Sequence, residues 1–465
     1  MLQVSASDTG GGAHKIARAL HGGLRDRGHT SAMAVGTRTS EDPTIVRIPN
    51  EITTAKRLAF GLTRRALRPV LRRVPALRFI RPALRTAHPL GFIRTYRAGR
   101  EFFDFPGSRR LLELVPFQPD VVHLHNLHNN YFDLRSLPEL SARVPVAMTL
   151  HDEWTYTGHC AYTLGCERWR TGCGSCPDLT IHPALFRDGT HENWLAKREI
   201  YRGSRLYVSA PSRWLLDRAR QSILAAGAAD FRHIPNGVDQ RVFRPIDQGQ
   251  ARDLLGLPRE PLILLFAANL LGKNPFKDYA TVAAAVQTIA ATLRDRRVLL
   301  IALGAESSAT SVEGAEMRLM PYEHEPARVA AYYQAADLYL HAANADTFPT
   351  TILEALSTGR PVVATAVGGI DEQVRSLGGA PGAWTGAAAA ESAATGVLVE
   401  AHDAAGMAAA AIALLRDDAL RERLGRNAAE DAAARFDVER QLDDTLAWYA
   451  ATIDDWHAWR GARAA

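Results

Sequence analysis

Two carboxylates, Asp346 and Glu354, stand eight positions apart in the C-terminal half of the chain. The first is predicted to lie at the end of a strand and the second inside the helix that follows. That helix would open near Pro349, Thr350 and Thr351, where unpaired N–H groups and a partial positive charge can hold a diphosphate. One carboxylate would then reach a sugar and the other a ribose. The spacing therefore indicates a nucleotide-sugar site, whereas an isolated acidic residue would only mark an ordinary helix start.

A glycine-rich stretch near the N-terminus, Gly10-Gly11-Gly12-Ala13, follows the first predicted strand and opens a helix expected to end near Arg27. Glycine at such a turn lets the backbone approach a ligand, or simply lets the chain bend into the helix. The third glycine of a dinucleotide-binding fingerprint is missing at the required offset, which argues against an NAD enzyme.

Histidines and asparagines follow two predicted strands of the N-terminal half, residues 121–125 and 144–150. His151 stands directly after the second strand, and open α/β sheets bind ligands at the carboxyl ends of their strands. Asn126 and His128 lie just past the first strand and are candidates for the acceptor side of a site. His123, inside that strand, is better explained as a hydrogen-bonded core histidine.

All four cysteines of the chain fall within seventeen residues, at Cys160, Cys166, Cys173 and Cys176. Four thiolates match the ligand type and number of a structural zinc site, although Cys160 and Cys166 are spaced more widely than the first pair of such a site usually is. Disulfides are disfavoured in a reducing cytoplasm. Zinc is therefore the first interpretation, with free or redox-active thiols and disulfides as alternatives.

Positive charge is concentrated in one segment, residues 56–100, which holds one Lys and twelve Arg with no Asp or Glu. The segment carries +13, whereas the whole chain carries +5. Apolar residues are interleaved with the cations, a composition that suits contact with an anionic membrane surface. The alternatives are a loop that binds a phosphorylated soluble acceptor and a solvated face. No feature indicates nucleic-acid binding.

The length of 465 residues exceeds what one hydrophobic core usually supports, so we expect two domains. The chain is 47% hydrophobic and 23% charged, as in an ordinary globular protein. No apolar run approaches the ~20 residues that span a bilayer. The N-terminus lacks the basic-then-apolar pattern of a signal peptide, and a cytoplasmic location is expected.

Apolar runs of strand length alternate with helix-length amphipathic stretches in both halves of the chain. The predicted strands are residues 2–6, 121–125, 144–150, 206–210 and 231–234, and then 261–269, 298–304, 338–343, 361–367 and 397–400. This alternation predicts an α/β fold with two Rossmann-like domains. Residues 234–245 hold an Asn-Gly pair and two prolines and would form the linker.

The run from Asn344 to Ala364 resembles the acidic-x7-Glu signature of the retaining glycosyltransferases of family 4, with Asp346 where that family usually has Glu. The resemblance implies a GT-B fold, in which two facing Rossmann-like domains border a donor cleft. We assign residues 1–240 to the acceptor-side domain and 241–437 to the nucleotide-sugar-binding domain. A C-terminal helix, residues 438–465, would pack back on the first domain.

The same resemblance implies roles for further residues. Gly11 and Gly12 would border the donor phosphates, and His151 matches a donor-site histidine. Lys277 matches a lysine that contacts the diphosphate. The arginine that the family carries on the diphosphate is replaced by Asn269, and Lys273 is a possible substitute for its charge. Similar Cys-rich insertions occur in a subset of the family.

These observations predict a retaining, hexosyltransferase-like enzyme that moves a sugar from a nucleoside diphosphate sugar to a hydroxyl acceptor in polysaccharide or glycoconjugate synthesis. The acceptor would be a glycan, a lipid-linked glycan or a small molecule. No catalytic metal is expected, because helix termini and Lys277 would neutralise the leaving diphosphate. One alternative is a sugar-nucleotide epimerase of the same fold. Another is an inactive sugar-nucleotide-binding scaffold.

Overall fold

The computed structural model describes residues 1–50, 89–268, 274–304, 308–312, 315–386 and 388–464. Helices and strands are numbered in chain order over those residues. The chain divides into two compact units. The first comprises Met1–Pro211, Leu215–Ile234 and Asp444–Ala465, and the second comprises Ser212–Trp214 and Pro235–Asp443.

The first unit is built on a parallel sheet of seven strands in the order β3-β2-β1-β4-β5-β6-β7. Its strands are β1 (Leu2–Ser7), β2 (Ala32–Thr37), β3 (Ile45–Arg47), β4 (Val122–His125), β5 (Val146–Thr149), β6 (Leu206–Ala210) and β7 (Ala228–His233). The helices that begin in this part of the chain are α1 (Gly12–Asp26), α2 (Pro89–Arg97), α3 (Leu137–Arg143), α4 (Thr190–Arg202) and α5 (Arg213–Arg220). Helix α1 buries Ile16, Leu20 and Leu24, one residue per turn, because an amphipathic helix turns its apolar stripe inward.

The second unit has a sheet in the order β10-β11-β9-β8-β12-β13-β14, parallel except for the antiparallel pair β10 and β11. Its strands are β8 (Leu262–Ala267), β9 (Val298–Leu303), β10 (Ser308–Val312), β11 (Ala315–Met320), β12 (Leu338–His341), β13 (Val362–Thr365) and β14 (Gly396–Val399). The helices of this unit are α6 (Gln248–Leu255), α7 (Tyr279–Thr292), α8 (Pro326–Ala335), α9 (Thr350–Ser357), α10 (Ala404–Arg416) and α11 (Asp418–Arg435). The last helix, α12 (Val438–Ala464), begins in the second unit and belongs to the first unit from Asp444 onward.

Two hydrophobic cores lie on opposite faces of the second sheet. Leu264 and Phe266 of β8 join one core with residues of α7 and α10. Ile263 and Leu265, which alternate with them, join the other core with residues of α8 and α9. Side chains of a strand point alternately to its two faces, so a strand buried on both faces is apolar throughout, as β8 is.

The prediction of two Rossmann-like α/β domains is confirmed, and each predicted strand coincides with an observed one to within a few residues. Strands β2, β3, β10 and β11 were not predicted. The basic segment lies mostly outside the described residues, which resume at 89. Over the described parts of the chain, no helix combines the length and apolarity needed to cross a membrane.

Candidate functional site

In the first unit, the candidate residues follow the carboxyl ends of adjacent parallel strands. β1, β4 and β5 are neighbours in the sheet, so their carboxyl ends share one edge. Gly11 caps α1 after β1, Asn126 and His128 follow β4, and His151 follows β5. The predicted candidates of this half are therefore on one edge of one sheet.

A chain of hydrogen bonds starts at His151. Its Nε2 lies 3.0 Å from Nδ1 of His125, whose Nε2 lies 3.0 Å from Oε1 of Gln3. A Gln side-chain oxygen can only accept, so Nε2 of His125 carries the proton. Nδ1 of a neutral His125 is then an acceptor, and His151 must donate from Nε2. The network thus assigns one neutral tautomer to His151, with the lone pair on Nδ1.

The same chain continues to helix α12. Gln3 Nε2 donates to the hydroxyl of Tyr449 over 3.1 Å, and that hydroxyl lies 2.6 Å from Nδ1 of His123. His123 Nε2 lies 2.6 Å from Oγ1 of Thr149, which lies 2.7 Å from Oγ of Ser209. Each of the three imidazoles thus pairs with polar neighbours, and a neutral ring fits each position.

Burial reinforces this neutrality. It lowers the pKa of His123 to about 3, with a further contribution from nearby His151. It also lowers the pKa of His151 to about 4, against the opposing attraction of Asp152. The pKa of His125 is held well below its ordinary value by burial and by the adjacent imidazoles. Desolvation disfavours the charged imidazolium in each case.

His128 behaves differently because it has a carboxylate partner. Its Nε2 lies 2.8 Å from Oδ2 of Asp152, and both side chains are buried. Burial alone would lower the pKa of His128, but Asp152, with smaller contributions from Asn129 and Glu101, raises it overall. In turn, the pKa of Asp152 is lowered by His128 even though burial would raise it. Each member of the pair therefore favours the charged form of the other.

The loop that carries His128 has an unusual backbone. Asn126, Asn129 and Asn130 have φ values of 37°, 81° and 58°. Non-glycine residues seldom adopt this left-handed region, although Asn tolerates it better than most. Such conformations cost free energy and cluster at functional sites.

In the second unit, Asp346 is paired with a lysine. Lys277 Nζ lies 2.5 Å from Oδ2 of Asp346 and 3.2 Å from Nε2 of His341, the last residue of β12. Since the ammonium can only donate, Nε2 of His341 accepts, and its Nδ1 donates to the Tyr339 hydroxyl over 3.1 Å. Burial and the neighbouring Lys277 hold the pKa of His341 well below its ordinary value. The sequence had assigned Lys277 to a phosphate and Asp346 to a sugar, and it did not indicate that they pair.

The second carboxylate, Glu354, lies inside α9 and is only 5% exposed. Its Oε2 accepts a hydrogen bond of 2.8 Å from the hydroxyl of Tyr333. Both Glu354 and Asp346 add to the effect of burial in raising the pKa of Tyr339, so both carboxylates act on that residue. The N-cap of α9 is Pro349, which offers no capping side chain. Thr350 and Thr351 form the first turn, as predicted.

Gly368 packs against the backbone beside Asp346. It has a φ of +61°, and a Cβ on it would lie 1.7 Å from the carbonyl oxygen of Asp346. Any larger residue would therefore displace the segment that carries Asp346. The amide of Gly369 donates to the same carbonyl over 3.3 Å.

The four cysteine thiols, called here the cysteine cluster, line one small cavity of about 30 Å³ together with His159. All four are free. Burial raises the pKa of Cys160 to about 12 and that of Cys173 to about 11. As the side chains are placed in the described part of the chain, no three His, Cys, Asp or Glu residues could hold a metal ion together. Zinc binding therefore stays a prediction that requires the thiols to move closer together.

Two predicted donor-side residues, Asn269 and Lys273, lie outside the described residues. The structure adds residues that the sequence did not indicate: Gln3, His125, Asp152, Tyr449, Tyr333 and His341. Asp152 adjoins His151 in sequence, so a second polar residue after β5 was a usable signal. The others become visible only through contacts between distant segments.

Comparison with solved structures shows that the two parallel-sheet α/β units form a GT-B fold. Sucrose-phosphate synthase from Thermosynechococcus elongatus matches with a TM-score of 0.61 at 18% identity, covering 98% of this chain and 99% of that one. Anabaena HepE in complex with UDP-glucose matches with a TM-score of 0.57 at 17% identity, covering 96% and 98%.

Residues 247–431 match the family described as Glycosyl transferases group 1. A D-inositol 3-phosphate glycosyltransferase of Catenulispora acidiphila is 32% identical over 272 residues, 54% of this chain and 60% of that protein. A protein of Escherichia coli K12 described as a colanic acid biosynthesis glycosyl transferase, WcaC, is 29% identical over 272 residues, 56% of this chain and 63% of that protein. The matches thus span less than two thirds of these relatives' length.

Proposed function

We propose that the protein is a retaining glycosyltransferase of family 4 that transfers a hexose from a nucleoside diphosphate sugar to a hydroxyl acceptor. The observation that carries the proposal is the grouping of Asp346, Lys277 and the N-terminus of α9, which has no side-chain cap, with Glu354 buried one turn further along that helix. This grouping lies within the segment that matches Glycosyl transferases group 1.

The diphosphate would bind at the start of α9. The N–H groups of the first helical turn point outward along the helix axis and can donate to an anion. The helix dipole also favours negative charge there. Lys277 adds a full positive charge, which in the absence of donor is balanced by Asp346. Donor binding would therefore draw Lys277 toward a phosphate oxygen, leaving the Asp346 carboxylate to accept hydrogen bonds from sugar hydroxyls. Asn269 and Lys273 would complete this side.

Glu354 would hold the ribose. Its Oε2 already accepts from Tyr333, which fixes the carboxylate inside α9. The remaining acceptor capacity can take the ribose hydroxyls, because a carboxylate has about four lone-pair sites. UDP is the first nucleotide to test, since the Anabaena HepE structures contain UDP, UDP with glucose, and UDP-glucose.

The transfer step would proceed with retention. The bond between C1 of the sugar and the diphosphate oxygen breaks, and the acceptor oxygen bonds to C1 on the same face. The acceptor's proton passes to the departing diphosphate oxygen. Lys277 and the α9 amides would stabilise the charge that grows on that oxygen. His151 would contact a sugar hydroxyl, with Gly11 and Gly12 bordering the phosphates.

The test is turnover with a panel of UDP-, GDP-, ADP- and dTDP-sugars. We expect one donor to release nucleotide diphosphate and give a product whose anomeric configuration, read by NMR, matches the donor. Asp346→Asn should lower turnover by roughly 100-fold or more while changing nucleotide affinity less. Asp346→Glu should also impair turnover, because the longer side chain moves the carboxylate in a fitted site.

The matched control is Asp253→Asn. Asp253 lies on α6 of the same unit, and its exposed carboxylate pairs with Arg259. This substitution should leave turnover unchanged. Interconversion of donor sugars without transfer would instead identify an epimerase. Nucleotide binding without any turnover would identify a scaffold, and parental rates in both Asp346 variants would remove Asp346 from the site.

A further inference from the structure

A cavity of about 310 Å³ lies in the first unit, beside the loop that carries His128. Small-molecule sites in proteins occupy ~300–1,000 Å³ and are lined by apolar and aromatic side chains with a few well-placed polar groups. The wall includes Phe92, Tyr96, Phe102, Phe103, Phe132 and Trp154. Asn129 and Asn130, two of the left-handed asparagines, also line it.

His128 supplies the cavity with a buried polar group. It is 8% exposed, and its Nε2 is engaged by Asp152. Its Nδ1 is buried and makes no well-formed hydrogen bond within the described residues, although the neighbouring Asn129 side chain interacts with the ring. A buried polar atom without a good partner costs free energy. A ligand oxygen in the cavity would relieve that cost.

The charges around the cavity are balanced. Glu101 in the wall lies 2.8 Å from the ammonium of fully buried Lys197. Arg100, exposed at the wall, lies 3.9 Å from Glu192. Nε2 of His128 lies 2.8 Å from the Asp152 carboxylate. Each charged side chain of the described wall therefore has an opposite partner, and no surplus cation is present among them to hold a phosphate.

We propose that this cavity is the acceptor subsite and that it binds an uncharged pyranose ring, with an acceptor hydroxyl hydrogen-bonded at His128 Nδ1. A pyranose presents flat C–H faces that pack on aromatic rings and hydroxyls that pair with imidazole and amide groups. A phosphorylated sugar would bring a dianion into a wall with no unpaired cation in the described residues. The inference rests on the proposed function, because it assumes that the chain has an acceptor.

The raised pKa of His128 agrees with this assignment. A protonated imidazole donates from both nitrogens, so Nδ1 would offer a hydrogen bond to a ligand oxygen while Nε2 stays with Asp152. Such a charge-assisted bond prefers a hydroxyl oxygen over an apolar group.

The experiment is ligand-observed saturation-transfer NMR on the full chain with methyl pyranosides of gluco, galacto, manno and N-acetylhexosamine configuration, and with glucose 6-phosphate. We expect at least one methyl pyranoside to bind and to bind more tightly than glucose 6-phosphate. Tighter binding of the phosphate, or binding of none of the pyranosides, would overturn the proposal.

Two variants locate the binding. Phe103→Ala removes a half-buried aromatic from the wall and should weaken pyranoside binding roughly 2–10-fold. His128→Gln should weaken it roughly 10–100-fold. Phe231→Ala, a half-buried aromatic on β7 outside the cavity, is the matched control and should have no effect. Equal affinity in Phe103→Ala and the parent would overturn the assignment even if His128→Gln fails to fold.

UDP binding, measured on the same samples by calorimetry, separates this proposal from the proposed function. UDP affinity that survives in Phe103→Ala while pyranoside binding falls supports the subsite. If the wild type binds pyranosides but no nucleotide, the proposed transferase function is contradicted. The proposed pyranose site in the cavity is not.

Discussion

The buried histidine chain predicts that the first unit loses stability in mildly acidic solution. His123, His125 and His151 are neutral in the folded state, with pKa values lowered to about 3 for His123 and about 4 for His151. In the unfolded chain they would titrate at about 6.5. Between those values the unfolded state binds more protons, so stability falls as the pH falls. The stabilisation is fully present above about pH 6.5 and is lost progressively toward the folded pKa values.

The size of the effect follows from the number of protons. Each proton bound only by the unfolded state changes the unfolding free energy by about 1.4 kcal/mol per pH unit. Three histidines that are mostly protonated when unfolded give a loss of about 3–4 kcal/mol between about pH 6 and pH 5. The raised pKa values of His128 and Glu101 act in the opposite direction. The lowered pKa values of His14, His21, His159 and His182 act in the same direction.

The assay is urea unfolding of the full chain, followed by tryptophan fluorescence at closely spaced pH values. His123→Gln retains side-chain hydrogen-bonding capacity but removes one titrating group, and should reduce the slope by about 1.4 kcal/mol per pH unit. His29→Gln is the control, because an exposed imidazole meets water in both states. NMR of labelled histidines should show His123 neutral at about pH 5. Protonated His123 in the folded protein at that pH, or unchanged stability across the window, would refute the assignment.

Three further predictions concern other parts of the chain. Glu354→Gln should weaken UDP binding by about 1.5–3 kcal/mol, roughly 10–150-fold by calorimetry, because it removes a charge-assisted ribose contact; an unchanged affinity in the folded variant would exclude Glu354 from the site. The cysteine cluster should hold close to one zinc per chain in protein purified without added metal; four freely titrating thiols with no metal would contradict this. The basic segment, residues 56–100, should bind anionic vesicles at low salt and release them at high salt; sedimentation that is unchanged when Arg64, Arg65, Arg72 and Arg73 become Gln would rule out this contact.

The sequence predicted the sheet-forming runs because they are short, apolar and alternate with amphipathic stretches of helix length. It missed β2 because that strand is Ala-Met-Ala-Val-Gly-Thr, in which small residues with weak strand preference predominate. The hairpin of β10 and β11 was missed as well. In a parallel sheet, β4 and β5 end at the same edge. Asn126, His128 and His151 follow these two strands, so they could be grouped from the sequence.

The partners of those residues could not be predicted. Tyr449 contacts His123, which is 326 positions away in the sequence. Lys277 contacts Asp346, which is 69 positions away. Local periodicity carries no information on such pairs, because they depend on how separate elements pack. The sequence therefore indicated candidate residues for the chemistry, whereas the structure indicates the partners that surround them.

The cysteine cluster and the cavity proposed to bind the acceptor share one residue, His159. His159 lines both cavities, and its Nε2 lies 3.4 Å from Sγ of Cys176. Its Nδ1 lies 3.0 Å from the carbonyl oxygen of Pro183, in the wall of the acceptor cavity. The backbone amide of Cys176 is fixed by Asp188, which also binds Thr190 at the start of α4. We therefore expect an ion or an oxidation that draws the thiols together to shift the wall of the proposed acceptor cavity, because His159 contacts both.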